Sequence, residues 1–201
     1  VTLPKEKKVL LFSVKDTEFS IVGGFQTGAK CFGIGCTQDL FAISCYTSPP
    51  SVKIMSRDGR ELKVFTRDQF GQDLFFFPDY ITVDKDGSNL FVTDRYKKSV
   101  LSLTLKGEKR WEIRYHHLKG PRGIAVHGTR LFVAGNRSHN VLEMSTEGQI
   151  IGAIIIDGIS NPHKLCVSPG GDRVLVTQQH MTLSKVEKNT VKIFKIPKRK
   201  I

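Results

Sequence analysis

Residues 78–120 read PDYITVDKDGSNLFVTDRYKKSVLSLTLKGEKRWEIRYHHLKG, and this stretch decides the fold. Similar segments begin at Pro121 with PRGIAVHGTRLFVAG and at Pro162 with PHKLCVSPGGDRVLV, so the copies start about forty residues apart. Each copy consists of short apolar runs separated by turn residues. A period of this length predicts a repeat fold in which every copy contributes one supersecondary unit.

The apolar runs inside one copy have the composition of β-strands. Residues 81–83, 90–93, 100–105 and 111–115 are rich in β-branched and aromatic types, and the breaks between them carry Gly, Asp and Ser. A four-stranded antiparallel sheet of this kind has two apolar faces and cannot bury both by itself. Stacking such sheets as blades around an axis buries both faces, so the sequence predicts an all-β fold, a β-propeller.

We expect one incomplete propeller over residues 1–201, with three full blades and partial blades at both ends. Residues 1–28 are assigned to a half blade, residues 29–77, 78–120 and 121–161 to full blades, and residues 162–201 to a three-stranded blade with an extended loop from Gln178 to Asn189. An upstream part of the same chain is expected to complete the ring. The crowded innermost strand is predicted to carry a small or slim middle residue, namely Gly33, Thr82, Ala125 and Cys166.

Composition narrows the class of protein. The net charge of +12 favours a polyanionic partner, although a solvated basic surface without a partner is the alternative. No apolar run reaches the roughly 18 residues of a membrane helix, and no signal peptide precedes the first strand, so we expect a cytoplasmic protein without membrane contact. The cysteines lack zinc-site spacing and are predicted to be buried free thiols in a reducing compartment; they are Cys31, Cys36, Cys45 and Cys166.

The predicted ligand-binding residues lie on one face of the propeller. Loops that lead into the innermost strand share that face with loops between the second and third strands, and there basic side chains alternate with Tyr and His. Acidic residues fall mostly on the turns of the opposite face. The predicted binding residues are Lys30, Tyr80, Arg95, Tyr96, Lys97, Lys98, Lys119, Arg122, Arg137, His139, His163 and Lys164. Basic groups attract phosphate and flat rings stack on unpaired bases, so this face is compatible with single-stranded RNA.

A metal-dependent hydrolase or lyase is the disfavoured alternative. Such propellers hold a metal at the mouth of the central channel, where this chain places Lys30, Asp79, Arg122 and His163, and the two cations would repel a divalent ion. His116 and His117 are assigned to a strand, where neighbouring side chains point to opposite faces, so a shared metal is not expected. No nucleophile elbow, H-E-x-x-H motif or phosphate loop occurs. We therefore predict a binding module without metal or cofactor.

The repeat resembles the NHL-repeat propellers of tripartite-motif proteins. Their opening motif Pro-x-Gly-Ile-x-Val is matched by residues 121–126, and their L-[FY]-V-[AT]-D motif by residues 90–94. The motif aspartate is Asp94 in that copy and is assigned to Ser44, Gly135 and Gln178 in the others. The resemblance implies a platform that recognises protein substrates of a ubiquitin ligase, with RNA as the second possible ligand. Ligase activity would belong to an upstream RING finger, so no catalysis is expected of this chain.

Overall fold

The structure, a computed structural model, describes residues 1–178 and 190–197, which form five antiparallel sheets. In every sheet the strands follow chain order from the innermost to the outermost. Blade 1 contains β1 (Thr2–Leu3), β2 (Lys8–Lys15) and β3 (Glu18–Gln26). Blade 2 contains β4 (Cys31–Cys36), β5 (Leu40–Cys45), β6 (Ser51–Ser56) and β7 (Glu61–Phe65). Blade 3 contains β8 (Pro78–Val83), β9 (Asn89–Asp94), β10 (Ser99–Thr104) and β11 (Lys109–Arg114). Blade 4 contains β12 (Pro121–His127), β13 (Arg130–Gly135), β14 (Asn140–Ser145) and β15 (Ile150–Ile155), and blade 5 contains β16 (Pro162–Val167), β17 (Arg173–Gln178) and β18 (Thr190–Lys195).

The innermost strands surround a common axis. A cavity of about 300 Å³ is lined by residues of all five of them, including Thr2, Ile34, Ile81, Ile124 and Leu165. The all-β prediction of a propeller built from four-stranded antiparallel blades is therefore confirmed. The predicted extended loop at residues 179–189 and the basic end of the chain at residues 198–201 lie outside the described residues.

Each central strand supplies side chains to two cores. On β9, Leu90 and Val92 pack against blade 2, whereas Phe91 between them packs against blade 4. Likewise Leu131 on β13 faces blade 3 and Phe132 faces blade 5. Because side chains alternate across a strand, an uninterrupted apolar run is what a sheet covered on both faces requires.

The hairpin turns between the third and fourth strands are fixed by glycine. Gly107 and Gly148 adopt φ of +91° and +87°, which is the left-handed region that residues with a Cβ rarely occupy. Both also abut the preceding blade, since a Cβ would collide with the ring of Phe65 at the first position and approach Trp111 to 3.1 Å at the second. These glycines therefore serve both the turn and the packing between blades.

The described residues form five blades, where three full blades and two partial ones were predicted, and the predicted first blade needs correction. Residues 1–28 form three strands rather than the two of a half blade. The additional strand β1 is only two residues long and pairs through Thr2 with Val9 and through Leu3 with Lys8. A strand of two residues that is followed directly by Pro4 is too short to show an alternating pattern, so the sequence does not predict it.

The position of the small innermost residue in blade 2 also differs from the prediction. Thr82 pairs with Phe91 on the neighbouring strand and Ala125 pairs with Phe132, whereas the equivalent pair in blade 2 is Gly35 with Ala42. Gly35, and not Gly33, is therefore the counterpart of Thr82 and Ala125. Gly33 lies two residues earlier, where β4 approaches β8 most closely.

The prediction of four buried free thiols is wrong. Cys31 and Cys45 are directly opposite each other on β4 and β5, with Cα atoms 4.0 Å apart, and form a disulfide. Cys36 and Cys166 are free but exposed. Cys166 points away from blade 4 because its neighbours Leu165 and Val167 pack towards that blade. Disulfides are rare in cytosolic proteins, so the expected reducing compartment loses its support.

The terminal blades carry exposed apolar side chains. Phe19 on β3 is 74% exposed and Ile193 on β18 is 61% exposed. The facing strand β2 adds Phe12 and Val14 to the surface of the first blade. No other blade covers these two surfaces within the described part of the chain. Separately, none of the described residues belongs to a helix with the length and hydropathy needed to cross a membrane.

Candidate functional site: the upper face

The antiparallel register determines which loops share a face. Pro78 pairs with Asp94, Pro121 with Gly135, and Pro162 with Gln178, so in blades 3, 4 and 5 the innermost strand begins beside the end of the second strand. The loops next to these positions therefore open on one side of the propeller, which we call the upper face. Among the described residues it consists of residues 4–7, 27–30, 46–50, 66–77, 95–98, 115–120, 136–139 and 156–161. The acidic turns, among them residues 84–88 and 168–172, lie on the opposite, lower face.

Asp94 anchors two loops of the upper face. Its buried carboxylate accepts hydrogen bonds from the backbone N–H groups of Phe76 and Phe77 (2.6 and 2.9 Å) and of Tyr96 and Lys97 (3.1 and 2.9 Å). A carboxylate that accepts several backbone N–H bonds satisfies donors that burial would otherwise leave unpaired. The motif aspartate is thus a structural clamp between the loop before β8 and the loop after β9.

In the other blades, different residues connect the loop before the innermost strand with the loop after the second strand. In blade 4, Gly135 leaves room for Asn140 and Ser138, which bind the His117 carbonyl (2.9 Å) and the Lys119 N–H (3.0 Å). In blade 5, Gln178 accepts from the N–H of Ser160 at 2.7 Å. The register assigns this position in blade 2 to Cys45, not to Ser44 as predicted. There the disulfide to Cys31 joins the two strand ends covalently.

Five of the predicted binding residues meet in one pocket between blades 3 and 4. The pocket has a volume of about 510 Å³. Its basic lining is Arg95, Lys97, Lys98, Arg114, Lys119 and Arg137, and its other lining residues are Tyr115, His116, Leu118 and Gly120. Arg114 also lines the pocket but was not among the predicted binding residues. It ends the outermost strand β11 beside the blade junction, and a charged residue at that point of the strand was the available signal.

Four other predicted residues lie at the mouth of the central channel, near Asp79. They are Tyr80, Arg122, His163 and Lys164. Asp79 is buried, with 3% of the residue exposed, and the Nε atoms of Arg95 and Arg122 each lie 3.9 Å from its Oδ2. Burial raises the pKa of Asp79, and the two guanidinium groups oppose that rise. Burial also lowers the pKa of Arg122. Asp79 thus neutralises part of the positive charge at the channel mouth.

His163 is held neutral beside this ion pair. Its Nδ1 lies 3.2 Å from the hydroxyl of Tyr80, and burial, together with the positive charges of Arg122 and Lys164, lowers the pKa of His163 to about 4. Burial raises the pKa of Tyr80. At neutral pH the channel mouth therefore presents an uncharged imidazole joined to an uncharged phenol. Either group can exchange hydrogen bonds with a ligand, and neither adds charge.

Several predicted residues lie apart from the pocket. Lys30 is exposed on the loop before β4, and His139 receives a hydrogen bond through Nδ1 from the N–H of Asn161 at 3.0 Å. Tyr96 is 53% exposed, but its ring packs edge-on against Phe77 and the guanidinium of Arg95 lies 5.1 Å from the ring centre. Phe77 and Arg95 therefore hold the Tyr96 ring in place, while about half of the residue stays exposed.

The two adjacent histidines are not arranged as predicted. His116 and His117 occupy the turn after β11, not a strand, and their ring centres are 3.8 Å apart. These two side chains are therefore not held on opposite faces of a strand. In the described part of the chain, no three His, Cys, Asp or Glu side chains are grouped closely enough to hold a metal ion.

We expect stability to fall as the pH is lowered from about 6.5 to about 4, partly because of His163. In this window the unfolded histidine binds a proton and the folded one does not, so acid favours unfolding. Asp79 contributes an opposite slope, because its raised pKa favours proton binding by the folded state. His163→Gln should flatten the dependence of the melting temperature on pH, while the exposed control His117→Gln should leave it unchanged. Identical slopes for His163→Gln and the wild type would contradict this assignment.

Comparison with solved structures supports the architecture. No family model matches the chain, and no curated protein sequence matches it either. Hydrazine synthase from Kuenenia stuttgartiensis superposes with a TM-score of 0.67 at 19% identity, over 88% of this chain and 54% of that one. Virginiamycin B lyase from Staphylococcus aureus superposes with a TM-score of 0.65 at 15% identity, over 96% of this chain and 64% of that one. A chain of the nidogen/laminin complex superposes with a TM-score of 0.65 at 17% identity, over 92% of this chain and 77% of that one.

This chain thus spans between about half and three quarters of the length of the compared structures. At these identities the likeness concerns the fold alone, and NHL membership stays a prediction. What the comparisons and the strand topology show together is that the described residues of this chain fold as a β-propeller of five blades.

Proposed function

We propose that this chain is a non-catalytic binding module whose upper face holds an acidic segment of a partner protein. One observation carries the proposal. Lys98, Lys119 and Arg137, from three different loops, line the same pocket, and no carboxylate in the described part of the chain lies within ion-pair distance of any of them. Cations that converge without an internal partner attract an anionic one, and they also raise its rate of association.

The backbone that carries these cations is already ordered. The N–H of Arg137 donates to the carbonyl of Lys119 at 3.0 Å, and the N–H of Asn136 donates to that of Gly120 at 3.1 Å. The loop before β12 and the loop after β13 are therefore tied together. A preordered site loses less conformational entropy on binding, so more of the electrostatic attraction appears as affinity.

The charges at the channel mouth support a binding role over a metal-dependent reaction. Asp79 is the buried carboxylate there, and its ion pairs with Arg95 and Arg122 offset its charge. A divalent cation at Asp79 would have to displace or tolerate both guanidinium groups. The proposal therefore assigns Asp79 to positioning Arg95 and Arg122 on the upper face.

Recognition of substrates for a ubiquitin ligase of the tripartite-motif type is a narrower form of the proposal. It rests on the resemblance of residues 90–94 and 121–126 to the NHL motifs. The disulfide between Cys31 and Cys45 weighs against it, because ubiquitin ligation takes place in the reducing cytosol. The proposed acidic partner is independent of this narrower reading.

A charge-reversal experiment tests the proposal. The probe is a fluorescent twelve-residue peptide rich in Asp and Glu, and its affinity is measured by anisotropy at several salt concentrations. Lys98→Glu/Lys119→Glu/Arg137→Glu should weaken binding by about tenfold or more, since three attractive surface charges become repulsive. The matched control Arg60→Glu/Lys85→Glu/Lys106→Glu changes the net charge equally on the lower face and should change affinity by less than about threefold.

Two outcomes would contradict the proposal. Equal losses in both triple variants would show that the peptide responds to net charge and not to the upper face. Tighter binding of single-stranded RNA than of the acidic peptide would make RNA the ligand. RNA binding would also weaken with a log–log salt slope of roughly −0.7 per phosphate contact.

A further inference from the structure

The pocket between blades 3 and 4 has basic side chains on three sides. Arg95 and Lys98 come from the loop after β9, Arg114 and Lys119 from the junction between the blades, and Arg137 from the loop after β13. A carboxylate is planar and offers two oxygens, whereas a phosphate monoester offers three oxygens arranged tetrahedrally. Donors that approach from three sides match the phosphate better than the carboxylate.

The charge balance of the pocket also favours a dianion. Among its basic residues, Arg114 contacts Glu112 at 3.2 Å and Arg95 lies near Asp79. Lys97 turns its Nζ to the carbonyl oxygens of Asp73 and Leu74, at 2.8 Å each. Lys98, Lys119 and Arg137 have no carboxylate partner among the described residues, and a single carboxylate ligand would leave this excess of positive charge unbalanced. A phosphate group carries about −1.5 to −2 at neutral pH and matches it more closely.

The shape of the pocket suits one side chain and not a nucleic-acid strand. Leu118, which is 2% exposed, and the half-buried Tyr115 supply apolar surface in a volume of about 510 Å³. Single-stranded RNA needs a path of phosphate contacts and free aromatic faces for its bases. Here Tyr46 stacks on Phe32 and Phe77, and Tyr80 contacts His163. Those rings are engaged within the protein.

We propose that this pocket binds the phosphate of a phosphorylated side chain in the partner protein. This inference rests on the proposed function, because it names the group by which the acidic segment is recognised. Arg137 is the residue whose loss should matter most. Its backbone N–H is fixed by Lys119 and its side chain packs over Gly120. Its guanidinium forms no ion pair with any described residue, so it can bind phosphate in the bidentate manner.

Three versions of one otherwise neutral peptide test the inference, with serine, phosphoserine or two adjacent glutamates at the centre. The last two carry about the same charge, so their comparison separates phosphate recognition from charge. At 150 mM salt we expect the phosphoserine peptide to bind about tenfold more tightly than the double-glutamate peptide, and the serine peptide not to bind. Arg137→Lys keeps the charge and should reduce that preference to about threefold or less, whereas the exposed control Arg110→Lys should preserve it.

The outcomes distinguish this inference from the proposed function. Equal affinity for the phosphoserine and double-glutamate peptides would overturn phosphate recognition and leave the acidic-segment proposal standing. Failure of both peptides to bind, with no binding of the acidic twelve-residue peptide, would overturn both. Tighter binding of a uridine oligonucleotide than of the phosphoserine peptide would assign the pocket to RNA and overturn the inference.

Discussion

Gly123→Val should destabilise the protein by about 3 kcal/mol or more, because there is no space for a side chain at this position of β12. A Cβ on Gly123 would lie 2.7 Å from the Cα of Lys164, 2.9 Å from the carbonyl oxygen of His163 and 2.9 Å from the backbone N of Leu165. All three are backbone atoms of the innermost strand of the next blade. Relief therefore requires β12 and β16 to move apart.

The effect should be visible in urea unfolding followed by circular dichroism. Gly33 repeats the arrangement two blades earlier, between β4 and β8, since its Cβ would lie 2.7 Å from Tyr80 Cα and Ile81 N, so Gly33→Val should behave in the same way. Gly23→Val is the matched control, because a Cβ on Gly23 meets no atom within 4 Å. If Gly123→Val fails to fold, Gly123→Ala provides the measurable case. A Gly123→Ala protein as stable as the wild type would contradict the close approach of the innermost strands.

Removing the disulfide should cost about 3 kcal/mol of unfolding free energy. Cys31 and Cys45 are separated by 14 positions in the sequence, and a cross-link over such a loop restricts the unfolded chain by about that amount. The double variant Cys31→Ala/Cys45→Ala should therefore unfold at lower urea concentration. In Cys36→Ala/Cys166→Ala both changed residues are exposed thiols, and this control should change stability little.

A thiol count checks the same assignment independently. In the native protein the exposed Cys36 and Cys166 should react with a thiol reagent. Denaturant alone should reveal no further thiol, and denaturant with reductant should reveal the remaining pair. Reaction of all cysteines in denaturant without reductant would refute the disulfide and restore the expectation of a reducing compartment.

The architecture could be read from the sequence because its signals are local and repeated. The run Leu90-Phe91-Val92 and its counterpart Leu131-Phe132-Val133 each feed two cores, and only a sheet covered on both faces needs such a run. The upper face could likewise be predicted, since strand order and antiparallel pairing alone decide on which side a loop lies. The meeting of Lys98, Lys119 and Arg137 follows from that geometry.

Other features depend on contacts between distant residues and have no local signal. Asp79 and Arg122 belong to different blades, and only the packed structure shows that they share a buried ion pair. The stacking of Tyr46 on Phe77 likewise joins two loops that are far apart in the sequence. The disulfide was predictable in principle. Cys31 and Cys45 occupy positions that are also paired in the two other four-stranded blades, as Pro78 with Asp94 and Pro121 with Gly135. The prediction of free thiols considered only zinc-site spacing and not this register.

Backbone amide shifts in an NMR titration with the acidic twelve-residue peptide test the central claim most directly. If an acidic segment binds the upper face, the largest shift changes should fall in residues 95–98, 115–120 and 136–139. At higher salt, more peptide should be needed to saturate these changes. The lower-face turns at residues 84–88, 105–108 and 146–149 should remain unshifted. Saturable binding with its largest changes in those lower-face turns, or spread evenly over both faces, would contradict the account.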